Sequence, residues 1–185
     1  MKRRNFFFYS ITTLVLCVVS LTATAAMVMQ MGMGDLVGNA DKVFRGTVLT
    51  KEPGTVLAGG GELSTVIYTI RVDDAIKGDF GPEGKAVTLT MLGNMKADAD
   101  NGNIKRIFSL NINPDLRVGS DYVLFTTAPS AGGLSTTVGL DQGLFHIFNN
   151  TDGNEATANG LGNQGIFGGP VSYEELKAAI YDELN

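Results

Sequence analysis

The chain has 185 residues with Lys+Arg 14 against Asp+Glu 19, and it is 44% hydrophobic and 18% charged. That balance supplies a core without disulfides or a structural metal, suits one domain, and excludes a disordered chain. The first 26 residues hold three cations and no acid, so losing them takes the net charge from −5 to −8; an acidic domain lacks the basic face that nucleic-acid phosphates or anionic lipids require.

Lys2, Arg3 and Arg4 form a basic start, Phe6 to Leu21 is mostly apolar, and Ala23-Thr24-Ala25-Ala26 offers the small residues a signal peptidase cuts beside. The expectation is a signal peptide over 1–26, cleaved near Ala25 or Ala26, followed by one domain over 27–185. Thr12, Thr13 and Ser20 interrupt an apolar run shorter than the roughly 20 residues of a spanning helix, so no stable membrane insertion is expected after cleavage. Leu16 before Cys17 does not suit a lipid anchor. Cys17 is the only cysteine and lies in this leader, so the mature chain has no thiol chemistry. The short basic start reads as bacterial-type secretion to the periplasm or beyond.

Met27, Met29, Met31 and Met33 follow at every second position. An extended chain would project all four thioethers to one side, a soft ligand set suited to Cu(I); the alternative is a terminal segment whose methionines fill a gap. Gly34 to Ala40 is expected to form a short helix held by Leu36 and Val37.

Strands come next. Phe44, Gly46 and Val48 alternate with Arg45 and Thr47; Val66, Tyr68, Ile70 and Val72 alternate with Ile67, Thr69, Arg71 and Asp73 over Leu63 to Asp73; Val87, Leu89 and Met91 alternate with Thr88 and Thr90. Ile104 to Ile112, Tyr122 to Thr127, Ser135 to Leu140 and Leu144 to Asn149 complete about seven. Glu52 to Glu62, Asn94 to Asn103 and Asn149 to Pro170 read as loops. The connections are too short for crossover helices, so the class is all-β and mainly antiparallel, closing into a small barrel because closure removes exposed edges. A C-terminal helix over 172–184 starts at a capping box, Ser172 with Glu175, and buries Leu176, Ile180 and Leu184.

His146 is the only histidine, so a Ser-His-Asp triad or a histidine zinc site would have to use it; it alternates with Phe145 and Ile147 in a strand, which reads as structural. Gly160, Gly162 and Gly165 match Gly-x-Gly-x-x-Gly, but the next helix starts too late to place amides on a pyrophosphate. Asp98 and Asp100, and Asp152 beside Asn150, Asn154 and Glu155, are oxygen-rich without the calcium-loop order. Asp152-Gly153 suits a tight turn.

Four segments carry a resemblance: Ala40-Asp41-Lys42-Val43-Phe44-Arg45-Gly46-Thr47-Val48, Ala75-Ile76-Lys77-Gly78, Arg117 to Phe125, and Val138 to Phe145. In this order they resemble small exported bacterial proteins, mostly uncharacterised, that look like OB-type β-barrels similar in shape to tissue inhibitors of metalloproteinases. The resemblance spans Leu36 to Phe148 and implies an OB-like closed or partly open barrel. Those inhibitors ligate zinc through an N-terminal cysteine that the mature chain lacks, so that mechanism does not carry over. The expected function is non-enzymatic binding of another protein in the envelope or outside the cell, without a cofactor. Cu(I) handling through the four methionines is one alternative, and a carboxylate hydrolase acting on an envelope polymer is another.

Overall fold

Alternation between apolar and polar residues makes this chain pair into sheet, and the computed structural model shows the pairing for residues 29–58, 60–81, 84–93 and 113–185. Helix α1 (Met33–Asn39) leads into strands β1 (Lys42–Ala58), β2 (Gly61–Lys77), β3 (Ala86–Leu92) and β4 (Asp121–Thr126). A 3-10 turn (Leu140–Gly143) precedes β5 (Leu144–Asn149) and β6 (Glu155–Asn159), and helix α2 (Tyr173–Leu184) ends the chain. The strands form one antiparallel sheet in the order β3-β2-β1-β4-β5-β6.

Both faces of the sheet's middle are covered. Val43, Val123, Phe125 and Phe145 face the helices and pack with Leu36, Val37, Leu176 and Ile180. Phe44, Tyr122, Leu124 and Leu144 point the other way and join Val66, Tyr68, Ile70, Leu89, Met91 and Leu116. Gly46 lets β1 and β2 approach at an irregularity in their register, because a Cβ there would lie 2.4 Å from the Arg71 carbonyl oxygen. α1 is closed at its C-terminal end by Lys77, whose ammonium donates to the carbonyls of Val37 and Ala40 at 2.7 Å each.

The expected mainly antiparallel class holds, while the strand pairing describes an open sheet. Three stretches differ from expectation. Glu52 to Glu62 is not a loop: β1 and β2 stay paired to Ala58 and Gly61, and the chain turns through Gly60 at φ +80°. Pro53 is tolerated because, among the described residues, β1 beyond Val48 pairs only with β2. Residues 135–140 give one bridge, Thr126 with Thr137, before the chain bends into the 3-10 turn at Leu140, φ +60°. Part of 149–170 is strand β6, whose small residues Ala156, Thr157 and Ala158 carry little apolar signal.

The helix over 172–184 begins one residue later, with the Ser172 hydroxyl accepting from the Glu175 amide at 3.2 Å. Leu176 and Ile180 are buried as expected, but Leu184 is 37% exposed because it sits in the last, unsupported turn. The Asp152-Gly153 turn is present, with the Gly153 amide donating to the Asn150 carbonyl. The leader 1–26, Met27, the strand expected over 104–112 and the loop over 94–103 lie outside the described residues.

Phe125→Ala should lower unfolding free energy by about 3–5 kcal/mol in urea titration, as a large side chain leaves a filled core. Thr65 is buried with an unpartnered hydroxyl, so Thr65→Val should be neutral or stabilise by up to about 1 kcal/mol; a clear loss would show that the hydroxyl is satisfied.

Candidate functional site

Beyond Val48 the β1–β2 hairpin continues as an arm. Register puts Val56 and Leu63 on one face with Ile67, Thr65 and Leu92, and puts Leu57 on the other. Leu57 is 79% exposed, and Leu63 and Leu92 are 41% exposed each. Gly54 makes room on the first face, since a Cβ there would meet Ile67 Cδ1 and Thr65 Oγ1 at 2.7 Å. The arm is braced at two points: Val56 lies against Gly132, and Lys51 pairs with Asp115, which also accepts from the Tyr68 hydroxyl at 3.1 Å. Burial first, and then the Asp115 carboxylate, push the Tyr68 phenol upward. Exposed leucines at an arm tip are costly to hydrate and gain by being covered.

A second surface is polar. On the helix-facing side of β1, Val43 belongs to the core while Arg45 and Thr47, two and four residues on, leave it. Arg45 makes a two-pronged pair with Glu155 at 2.9 Å for both bonds, approaches Asp121 at 3.8 Å, and lies 4.7 Å from the centre of the Tyr173 ring. Thr47 accepts from Arg71 at 2.8 Å and faces Asp73 and Asp121 at 2.8 and 2.7 Å, so its single proton serves one carboxylate at a time. Asp74 accepts from the Tyr173 hydroxyl at 2.8 Å and from Lys177 at 2.5 Å. Burial pushes the Asp74 carboxyl upward, but these two bonds outweigh it and hold the group below its ordinary range. The partners come from β1, β2, β4, β6 and α2, so the ladder fastens α2 and β6 to the sheet.

The third polar centre surrounds the N-terminal segment. The Gln142 carboxamide accepts from the Met31 amide at 2.8 Å and donates to the Met29 carbonyl at 3.1 Å. Met31 packs partly buried with its sulfur beside Gly139, Met33 is buried in α1, and Met29 is 82% exposed. Met31 and Met33 therefore pack on the same helix-side core while Met29 stands in solvent, so the described thioethers do not share one open face.

His146 lies on β5 opposite Tyr122 and Ala158, edge-on to the Tyr122 ring at 5.0 Å. Burial against that ring, then Arg117, lowers its basicity despite the opposing Asp141. The amides of Gly160 and Gly162 are used by the carbonyls of Asp141 and Asn159. The Asn150 side-chain oxygen caps the amides of Asp152 and Asn154. Among the described residues no group of three or more His, Cys, Asp or Glu could hold a metal ion. Asp98 and Asp100 lie outside them.

Sequence reading missed the arm leucines, whose signal was Thr55-Val56-Leu57 facing Leu63-Ser64-Thr65 across glycines. It also missed Arg45 with Glu155, which local spacing cannot join. No family model matches the chain, and neither curated proteins nor solved structures give a match.

The Asp74 carboxyl, held below its ordinary 3.8, contributes stability that is present above that pH and is lost as pH falls through the folded value. Lys177, raised above 10.5, contributes stability that is lost as pH rises through its own folded value. Asp74→Asn should cost about 1–2 kcal/mol at neutral pH and flatten the acid limb of Tm against pH; an unchanged acid limb counts against the ladder.

Proposed function

We propose that this chain is an exported, non-enzymatic binding protein of the bacterial envelope or extracellular space whose partner is another protein, a protease being one class of candidate. The observation that carries this reading is the arm: a paired hairpin extending beyond the two cores with Leu57 and Leu63 in solvent. Apolar side chains on a braced element lose little further entropy when a partner covers them, which favours association. The leader pattern of residues 1–26 supports export to the periplasm or beyond.

An OB-like, partly closed barrel is part of this reading. Residues 135–138 run beside the end of β4, and the Ser135 amide donates to the Thr90 carbonyl of edge strand β3 at 2.9 Å, a contact that favours curling of β3 towards β4. Phe44, Ile70, Leu89, Leu124 and Leu144 are almost fully buried on the face away from the helices, as expected when a sheet curls over its own side chains. The resemblance of the four sequence segments to exported proteins similar in shape to metalloproteinase inhibitors makes a protease a candidate partner. A contact made through the arm would need no cysteine.

The test is affinity capture by the tagged mature chain from its own periplasm and medium, beside the Leu57→Ser, Leu63→Ser double variant. One protein recovered at near-equal amount by the parent, and at least about tenfold less by a variant of unchanged Tm, is the expected result, since truncating central apolar anchors costs about 2 kcal/mol or more. Equal recovery by both chains removes the arm as the binding element, and turnover of an envelope polymer by the purified chain removes the non-enzymatic reading.

A further inference from the structure

Asn159 is followed by Gly160, the pairing in which a backbone nitrogen meets least obstruction on its way to the preceding carboxamide. In an unfolded chain the Gly160 amide would lose its proton to solvent base and its nitrogen would bond to Cγ of Asn159. The Cγ–Nδ2 bond then breaks, and ammonia leaves with a proton from solvent. Water opens the resulting cyclic imide to aspartate or isoaspartate.

The fold holds both reacting groups away from this path. The Gly160 amide donates to the Asp141 carbonyl at 2.9 Å, and Asn159 Nδ2 donates to the Gln142 carbonyl at 3.1 Å. Asn159 Oδ1 accepts from the amides of Leu161 at 3.0 Å and Asn163 at 2.8 Å. Asn163 answers with its own Oδ1 on the Asn159 amide at 2.8 Å, and its Nδ2 reaches the carbonyls of Thr157 and Gly169. Asn159, Asn163 and Gln142 are all buried, which withholds the water that acts as base and as hydrolytic reagent. The Gln142 side chain in turn holds the segment from Met29 to Met31.

We propose that Asn159 is a deamidation site kept closed by the folded chain, so that opening of the Asn159–Asn163–Gln142 cluster exposes it and the covalent change then makes the opening permanent. A carboxylate at 159 has no proton to offer the Gln142 carbonyl and brings an unpaired charge into a buried place. Isoaspartate also adds a backbone atom at the end of β6, which breaks its register with β5.

Incubation of the mature chain at mildly alkaline pH, natively and in concentrated urea, followed by peptide mass spectrometry, tests this. In urea Asn159 should react at the rate of Asn101, which also precedes glycine. Natively it should be slower by about tenfold or more, because reaction waits for local opening. Gln142→Ala, where circular dichroism shows a folded chain, should raise the native rate at Asn159; if that variant does not fold, the native and urea rates of the parent decide. A native rate within about twofold of the urea rate overturns the closure. An Asn101→Gln chain deamidated at 159 in urea should fail to regain its native spectrum on dilution, and full recovery overturns the permanence.

Discussion

The two-sided burial of β4 is the constraint on which the rest depends. Tyr122, Val123, Leu124 and Phe125 are each at most 1% exposed, so successive residues must meet apolar partners on opposite faces. One face needs the helices, because Val123 and Phe125 would otherwise stand in water beside Phe145 and Val43. The other needs β2, β3 and Leu116 brought over Tyr122 and Leu124. An antiparallel strand with one wet face would read as strict alternation; β4 reads as a continuous apolar run because neither face is wet.

What the apolar cores do not reach is fastened by polar groups, and the two fastenings differ in kind. The ladder from Glu155 through Arg45 to Tyr173, Asp74 and Lys177 is half-exposed, so solvent screens it and each pair contributes modestly. Its value lies in joining β6 and α2 to strands distant in the chain. The Asn159–Asn163–Gln142 cluster is buried, where each unmade bond is expensive. It therefore sets geometry more tightly than the ladder does, fixing the 160–169 turns, the end of β6 and the N-terminal segment through one set of amides.

Legibility followed the range of the interactions. The helix at Ser172, the strand at Leu144 to Asn149 and the short helix before β1 are announced by local chemistry, a cap or an alternation, and the structure has them. The hairpin arm was hidden because glycine and proline, which usually end a strand, here serve a turn and an outer edge. β6 was hidden because Ala and Thr are buried there by neighbours that spacing cannot name. The methionine row has a period that suits a strand, while Gly32 with the Asp35 carboxylate starts a helix at Met33.

The same edge chemistry limits how the arm can be recognised. Pro53 offers no amide, and Lys51 and Glu52 place charges beside it, features that discourage another strand from adding to this side of β1. Leu57 therefore does not stand on a β1 edge open to strand addition. Leu57 and Leu63 leave opposite faces of the hairpin, so a partner that covers both must enclose the tip rather than extend the sheet. Recognition by side chains gripped from two sides depends on the arm being held at its base, which is what Lys51 with Asp115 and Val56 against Gly132 supply. The braces that stiffen the arm and the residues that close its β1 edge thus act together: one holds the tip in place, and the other discourages strand pairing along β1.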